Sequence, residues 1–186
     1  MPIEQEYKFV LHSAQLLERE VRNSTSATAC EVTQGYLGGG NRVRRKIINN
    51  GSSGPPQLEH LFTYKKKLVG RPGCLEIECN ITADDFDLAW PETKNRVTKT
   101  RYAVSVDDGV WEFDFFRYHG STYFAMAEFE VPPGGVRPSV LHPLVQKYLL
   151  YSVADNDDRF TNRKLSDITY AAGLIMEIAK NGKTAA

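Results

Sequence analysis

Through the first 131 residues apolar and polar side chains alternate with a period of two, which sends successive side chains to opposite faces of a β-strand. The pattern predicts eight strands, at 3–10, 29–37, 41–48, 60–69, 74–81, 96–106, 110–118 and 122–131. Between the first two, Ser13 is placed to cap a helix over 13–23, whose Ala14, Leu17 and Val21 share one face. Thr82 followed by Asp85 forms a capping box opening another short helix over 82–89. After the last strand, helical stretches are expected near 141–153 and near 167–180, with Gly182 as a C-cap. The segment NNGSSGPP at 49–56 has the breakers and local hydrogen bonders of a flexible loop joining two strands. Strands in succession, with helices kept to loops and the C-terminal end, predict one α+β domain over 1–186 built on an antiparallel sheet. Eight such strands can close into a barrel, which removes the exposed edges that invite aggregation.

The polar faces of these strands are not generic. Glu4, Glu6 and Lys8 share a face, as do Arg42 with Arg44, Lys65 with Lys67, Glu76 with Glu78, Lys99 with Arg101, Glu112 with Asp114, and Glu128 with Glu130. A solvated outer face would account for any one strand, and it predicts a mixed polar alphabet. Same-sign doublets on separate strands are a different pattern, because like charges two apart on one face repel and a solvated surface gains nothing from them. A divalent cation needs convergent carboxylate oxygens, and a polyphosphate needs convergent Arg and Lys donors. If the apolar faces pack outward against helices, the charged faces line an interior tunnel. The inward set is then seven acids (Glu4, Glu6, Glu76, Glu78, Asp114, Glu128, Glu130) and six bases (Lys8, Arg42, Arg44, Lys65, Lys99, Arg101). Such near balance is what so much buried charge requires. The whole chain is balanced too, with 23 basic and 23 acidic residues, so no net field draws it to nucleic acid or an anionic membrane.

The order ExExK (4–8), RVR (42–44), TYK (63–65), EIE (76–78), KTR (99–101), EFD (112–114) and EFE (128–130) resembles the CYTH superfamily, the triphosphate tunnel metalloenzymes. The resemblance runs from residue 3 to about residue 165. It implies a closed eight-stranded antiparallel barrel, or tunnel, with helices outside and at the C-terminus, that binds triphosphates with Mg2+ or Mn2+. Glu4, Glu6, Glu128 and Glu130 match metal-binding acids, with Glu76, Glu78 and Asp114 as further acids facing metal and water. Lys8, Arg42, Arg44, Lys65, Lys99 and Arg101 match the triphosphate-binding bases. The segment DDRFTNRKLS (157–166) resembles the family's approach to a helix at one tunnel mouth, so Arg159 or Lys164 could reach a terminal phosphate. Where the family often has a Glu-Val-Thr-like segment, this chain has Tyr151-Ser152-Val153-Ala154.

The implied activity is metal-dependent hydrolysis of tripolyphosphate or an organic triphosphate. One ion at Glu4, Glu6, Glu128 and Glu130 would bridge phosphates, and a second near Glu76, Glu78 or Asp114 would orient or activate water. Lys8 could take part in proton transfer. The rivals are a class IV type adenylate cyclase, thiamine triphosphatase or RNA 5′-triphosphatase activity, and a non-catalytic triphosphate or nucleotide-binding module. Tyr36, Phe116, Tyr118 and Tyr123 could stack on an organic tail, although strand aromatics are more often core. An apolar-ligand barrel would lack the doublets.

His12, His60, His119 and His142 fall on separate elements without metal-site spacing, and Gly38-Gly39-Gly40 lacks the Lys-Ser/Thr of a phosphate loop. The three cysteines form no CxxC pair, and the N-terminus lacks an apolar targeting segment, so the expected setting is soluble, reduced and cytoplasmic. Expected partners are a triphosphate small molecule, no membrane, and no nucleic acid beyond an RNA 5′-triphosphate end, with the chain a monomer or homodimer.

Overall fold

The computed structural model describes residues 3–24, 27–49, 54–69, 73–131, 136–155 and 157–182. All eight expected strands form: β1 (Ile3–Leu11), β2 (Ala27–Tyr36), β3 (Asn41–Asn49), β4 (Gln57–Lys67), β5 (Cys74–Asn80), β6 (Lys94–Val106), β7 (Gly109–Tyr118) and β8 (Ser121–Val131). They belong to one antiparallel sheet in the order β5-β4-β3-β2-β6-β7-β8-β1-β9. His119 and Gly120, with φ of 46° and 79°, make the two-residue turn between β7 and β8. Positive φ at both turn positions matches the twist of the flanking strands.

The expected closed eight-stranded barrel is met only in part. Among the described residues the sheet has nine strands, and β1 meets β5 at just two positions, Ile3 opposite Leu75 and Glu4 opposite Cys74. The sheet curls until β5 at one end touches β1, the strand next to the other end, but it is not closed along its length. The ninth strand, β9 (Leu149–Ser152), lies where a helix was expected. Of that expected helix only α3 (Pro143–Tyr148) forms, with Pro143 at its start, where a missing N–H costs nothing. The chain then extends, placing Leu149, Tyr151 and Ser152 opposite Leu11, Val10 and Phe9 of β1. An apolar run as short as LLYS suits either period, and satisfying the β1 edge decides between them.

The expected α1 (Ala14–Arg22) forms without its expected cap, since Ser13 is left-handed (φ 52°) and makes no side-chain capping bond. The Ser13 carbonyl instead accepts from Leu16 and Leu17 at 3.0 and 3.1 Å. The Thr82 capping box does open α2 (Ala83–Ala89). At the C-terminal end come α4 (Asn162–Leu165) and α5 (Ile168–Gly182), so Gly182 ends the helix instead of following it. Of the 49–56 loop, 50–53 lie outside the described residues. No helix among the described residues is long and apolar enough to cross a membrane.

Two apolar clusters fix the sheet's curvature. On the convex face Tyr7, Phe9, Phe113, Phe115, Ala127 and Phe129 pack beneath Leu17 and Val21 of α1 and Val145 and Tyr148 of α3. Each fully buried side chain of this kind contributes roughly 1.5–3 kcal/mol, which makes this face the main stabilising layer. The second cluster joins Val10, Val97, Phe116, Phe124 and Met126 to Phe160, Leu165, Ala171 and Leu174. Those strand residues lie at even spacing from Lys8, Lys99, Asp114 and Glu128, so they point to the concave face. One end of the interior is therefore filled with apolar side chains and covered by α4 and α5.

Candidate functional site

The remainder of the concave face encloses a cavity of about 400 Å³. This falls within the range of small-ligand sites. Of the expected residues, Glu6, Arg42, Arg44, Lys65, Glu76, Glu78, Lys99, Arg101, Glu128 and Glu130 all line it. Period-two alternation alone brings them to one face, and antiparallel register then sets acids against bases: Lys8 stands opposite Glu128, Lys65 opposite Glu76, and Arg101 opposite Asp114. Glu4 precedes them on β1, and its side chain lies outside the described residues.

The charges form one chain of contacts. Lys8 Nζ lies 2.7 Å from Glu128 and 2.9 Å from Glu6, while Lys65 lies 3.7 Å from Glu6 and 3.2 Å from Glu76. Arg42 Nη2 donates to Glu76 at 2.8 Å, and Arg101 Nη2 donates to Glu128 at 2.9 Å. Arg101 also pairs with Glu112, and its Nε and Nη2 donate to Asp114 at 2.7 Å each. Lys99 donates to the same carboxylate. Burial works against the Glu128 carboxylate, yet Lys8, Lys99 and Arg101 outweigh it and hold its pKa well below the usual range. Burial likewise opposes the Lys8 ammonium, but Glu128 and Glu6 raise its pKa above the ordinary value. Lys8 is thus held as an ammonium between the Glu6 and Glu128 carboxylates.

At the β3 end the balance differs. Burial, followed by repulsion from Arg42, depresses the Arg44 pKa, with Arg101 adding to the shift and Glu78 opposing it. The contact from Arg44 Nη1 to Glu78 is long, at 3.4 Å, and Glu78 also faces Lys46 at 3.8 Å and accepts from Thr63 at 2.9 Å. Arg44 Nε is buried without a hydrogen-bond partner. A buried donor left in this way is costly, and an anion would satisfy it.

Several expectations need correction. Asp114 is fully buried, with Lys99 and Arg101 holding its oxygens, so it supports two lining bases without itself lining the cavity. Lys65 lines the cavity but Lys67 does not, because Lys67 ends β4 and is exposed. Arg159 is taken up by Asp157 and by Glu177 at 2.7 Å, and Lys164 by Asp158 at 3.0 Å, so neither reaches the cavity. The same segment contributes Asn162 instead. None of Tyr36, Phe116, Tyr118 and Tyr123 lines the cavity: Phe116 is core, and the Tyr123 hydroxyl donates to the Leu165 carbonyl at 2.8 Å. Two further charged residues line the cavity: Lys46, which was not singled out, and Glu112, which was named as sharing a face with Asp114 but left out of the inward set. Both were visible at two-residue spacing, from Arg44 and from Asp114. Burial, reinforced by Asp114 and Glu128, raises the Glu112 pKa despite Arg101.

The glycine run makes the turn from β2 to β3, as its lack of phosphate-loop residues implied. Gly40 has φ of +87°, and a Cβ there would meet the Lys65 carbonyl oxygen at 2.5 Å. Only glycine allows β3 to begin close enough to β4 to set Arg42 beside Thr63 and Lys65. Among the described residues no three His, Cys, Asp or Glu converge as a ready metal site.

No family model and no curated protein matches the sequence. Among solved structures, PH1012 from Pyrococcus horikoshii OT3 is similar at 19% identity over 71% of this chain and 80% of that one, with a TM-score of 0.46. PH1819 from the same organism is similar at 18% identity over 94% and 89%, with a TM-score of 0.48. A Bacillus halodurans protein, bh2851, which carries a provisional adenylate cyclase name, is similar at 15% identity over 69% and 80%, with a TM-score of 0.48. These are likenesses of fold.

Proposed function

We propose that the cavity binds a triphosphate group and that the protein hydrolyses it with the help of a divalent metal, as the resemblance to the CYTH superfamily implies. The observation that supports this most is Arg44, a buried guanidinium with an unsatisfied Nε, one long contact to a carboxylate, and Arg42 and Lys46 on either side of it along β3. Three bases at i, i+2 and i+4 on one strand face span about 14 Å at the usual rise, which suits an extended polyanion better than a single phosphate. Lys65 on the adjacent β4, and Lys99 and Arg101 on β6 beyond β2, line the same cavity. Guanidinium and ammonium donors arranged in this way bind phosphoryl oxygens, orient the chain for attack by water, and stabilise negative charge as it shifts. Asp114 keeps Lys99 and Arg101 aimed inward.

The donors fit a hard divalent ion. Glu6 stands opposite Glu130 and Glu112 opposite Glu128. Like charges directly across a ladder repel, and Lys8 and Arg101 now sit among these carboxylates. All-oxygen donors of this kind suit Mg2+ or Mn2+. Glu6, Glu128 and Glu130 would hold one ion, joined by Glu4 if the resemblance holds there, and Glu76 and Glu78 a second. Bound there, the metal would neutralise phosphoryl oxygens and lower the pKa of water. The carboxylates would orient that water, and the absence of any aromatic side chain from the described lining favours hydrolysis over a reaction that must grip a stacked base.

The test is phosphate or pyrophosphate release from tripolyphosphate, ATP and thiamine triphosphate, with Mg2+, Mn2+ or EDTA, for wild type, Arg44→Ala and Glu130→Gln. Hydrolysis should require metal, and each substitution should lower kcat/KM by about 100-fold or more. Hydrolysis indifferent to EDTA and to both substitutions refutes the proposal. Cyclic AMP formed from ATP replaces hydrolysis with the cyclase reading.

A further inference from the structure

Seven of the eight strands β1 to β8 turn at least one charged side chain into the cavity, and β2 turns none. Its inward residues are Thr28, Cys30, Val32 and Gln34. Cross-strand register extends the uncharged surface to both neighbours, since Thr28 stands opposite Ala103 on β6 and Cys30 opposite Ile48 on β3. Thr28, Cys30, Val32, Ile48 and Ala103 thus form one continuous wall, bordered by Lys46, Lys99, Arg101 and Glu112.

A bare polyphosphate has no use for such a wall. Its oxygens are anionic on every side, and pressing them against apolar groups removes water without supplying a donor. A ligand with an anionic end and a compact uncharged end matches both halves of the cavity, with Lys46 at the junction. We propose that this wall is a subsite for the organic group joined to the phosphates, so that the preferred ligand is an organic triphosphate and not inorganic tripolyphosphate. The inference rests on the triphosphate reading of the same cavity. With no aromatic in the described lining, the tail is held by apolar contact and the Thr28 hydroxyl.

Cys30 reports on the wall directly, and exposed Cys79 provides a control on the same chain. N-ethylmaleimide labelling of both cysteines is followed by peptide mass spectrometry, with Mg2+ and either imidotriphosphate or the β,γ-imido analogue of ATP at saturation. The nucleotide analogue should slow labelling of Cys30 about tenfold, imidotriphosphate less than about twofold, and neither should affect Cys79. Titration calorimetry supplies the second measurement: Ile48→Thr, which adds no charge, should weaken the nucleotide analogue about tenfold and leave imidotriphosphate within about twofold. Equal protection by the two ligands, equal weakening by Ile48→Thr, or binding of imidotriphosphate without binding of the nucleotide overturns the subsite and leaves the triphosphate reading intact. Failure of wild type to bind either ligand overturns that reading, and the subsite with it.

Discussion

Replacing Asp114 with Asn keeps the side chain's volume and removes the charge on which two buried bases depend. Asp114 is fully buried, and Lys99 is only 2% exposed. Burial already depresses the Lys99 pKa, Arg101 depresses it further, and Asp114 is the largest opposing influence. Losing one partner of a buried pair costs about 3–5 kcal/mol. Arg101 would keep Glu112 and Glu128, and Lys99 can shed its proton, so the loss should fall near the lower end, at about 3 kcal/mol. In a chain of this size that lowers Tm by about 6–12 °C. Urea unfolding followed by fluorescence of the buried Trp111 measures it. Adding Lys99→Met removes the stranded ammonium and should restore about 1–2 kcal/mol, because an apolar side chain in such a place carries no unpaired charge. A loss below about 1 kcal/mol for Asp114→Asn, or no recovery in the double variant, would show that the interior is wet enough to screen these charges.

Two further outcomes follow from residues beside the cavity. Burial pushes the Tyr123 phenol up to about 12 from an ordinary 10.0. The folded state therefore keeps a proton that the unfolded chain releases, so stability should fall as pH rises from 10 toward 12, and Tyr123→Phe should flatten that limb in urea titrations at stepped pH. Gly40→Ala, with φ at +87° and a clash against the Lys65 carbonyl, should cost about 1–3 kcal/mol in the same unfolding assay; an unchanged midpoint would mean the turn relaxes freely.

The fold was legible where a single physical rule operates. Strict alternation marks a strand and its faces without any tertiary knowledge, so β1 to β8 and the inward acids and bases could be read from residue types alone. The misses fall where a distant partner decides. LLYS becomes β9 because the β1 edge accepts it, and Ser13 leaves its capping role when the chain turns through a left-handed conformation. A four-residue helix such as α4 has too little period to detect, so Asn162 could not have been placed.

At the site, alternation supplied direction but not depth. Val10, Val97, Phe116, Phe124 and Met126 obey the same parity as Lys8, Lys99, Asp114 and Glu128, yet they fill one end of the interior, and an expected tunnel becomes a cavity covered at that end. Depth also separates residues of like charge. Asp114 is fully buried beneath Lys99 and Arg101, while Glu112, two positions along the same strand, lines the cavity. Lys46 shows the converse, since reading β3 as a doublet stopped one step before the third base on its inward face. Charged positions attract notice because they are costly to bury, which is why the uncharged inward face of β2 passed unremarked. In an interior where every other strand of the eight contributes charge, the strand that contributes none carries information about the ligand. The bases indicate what binds at the anionic end, and only the wall at β2 can distinguish a bare chain of phosphates from one that ends in carbon.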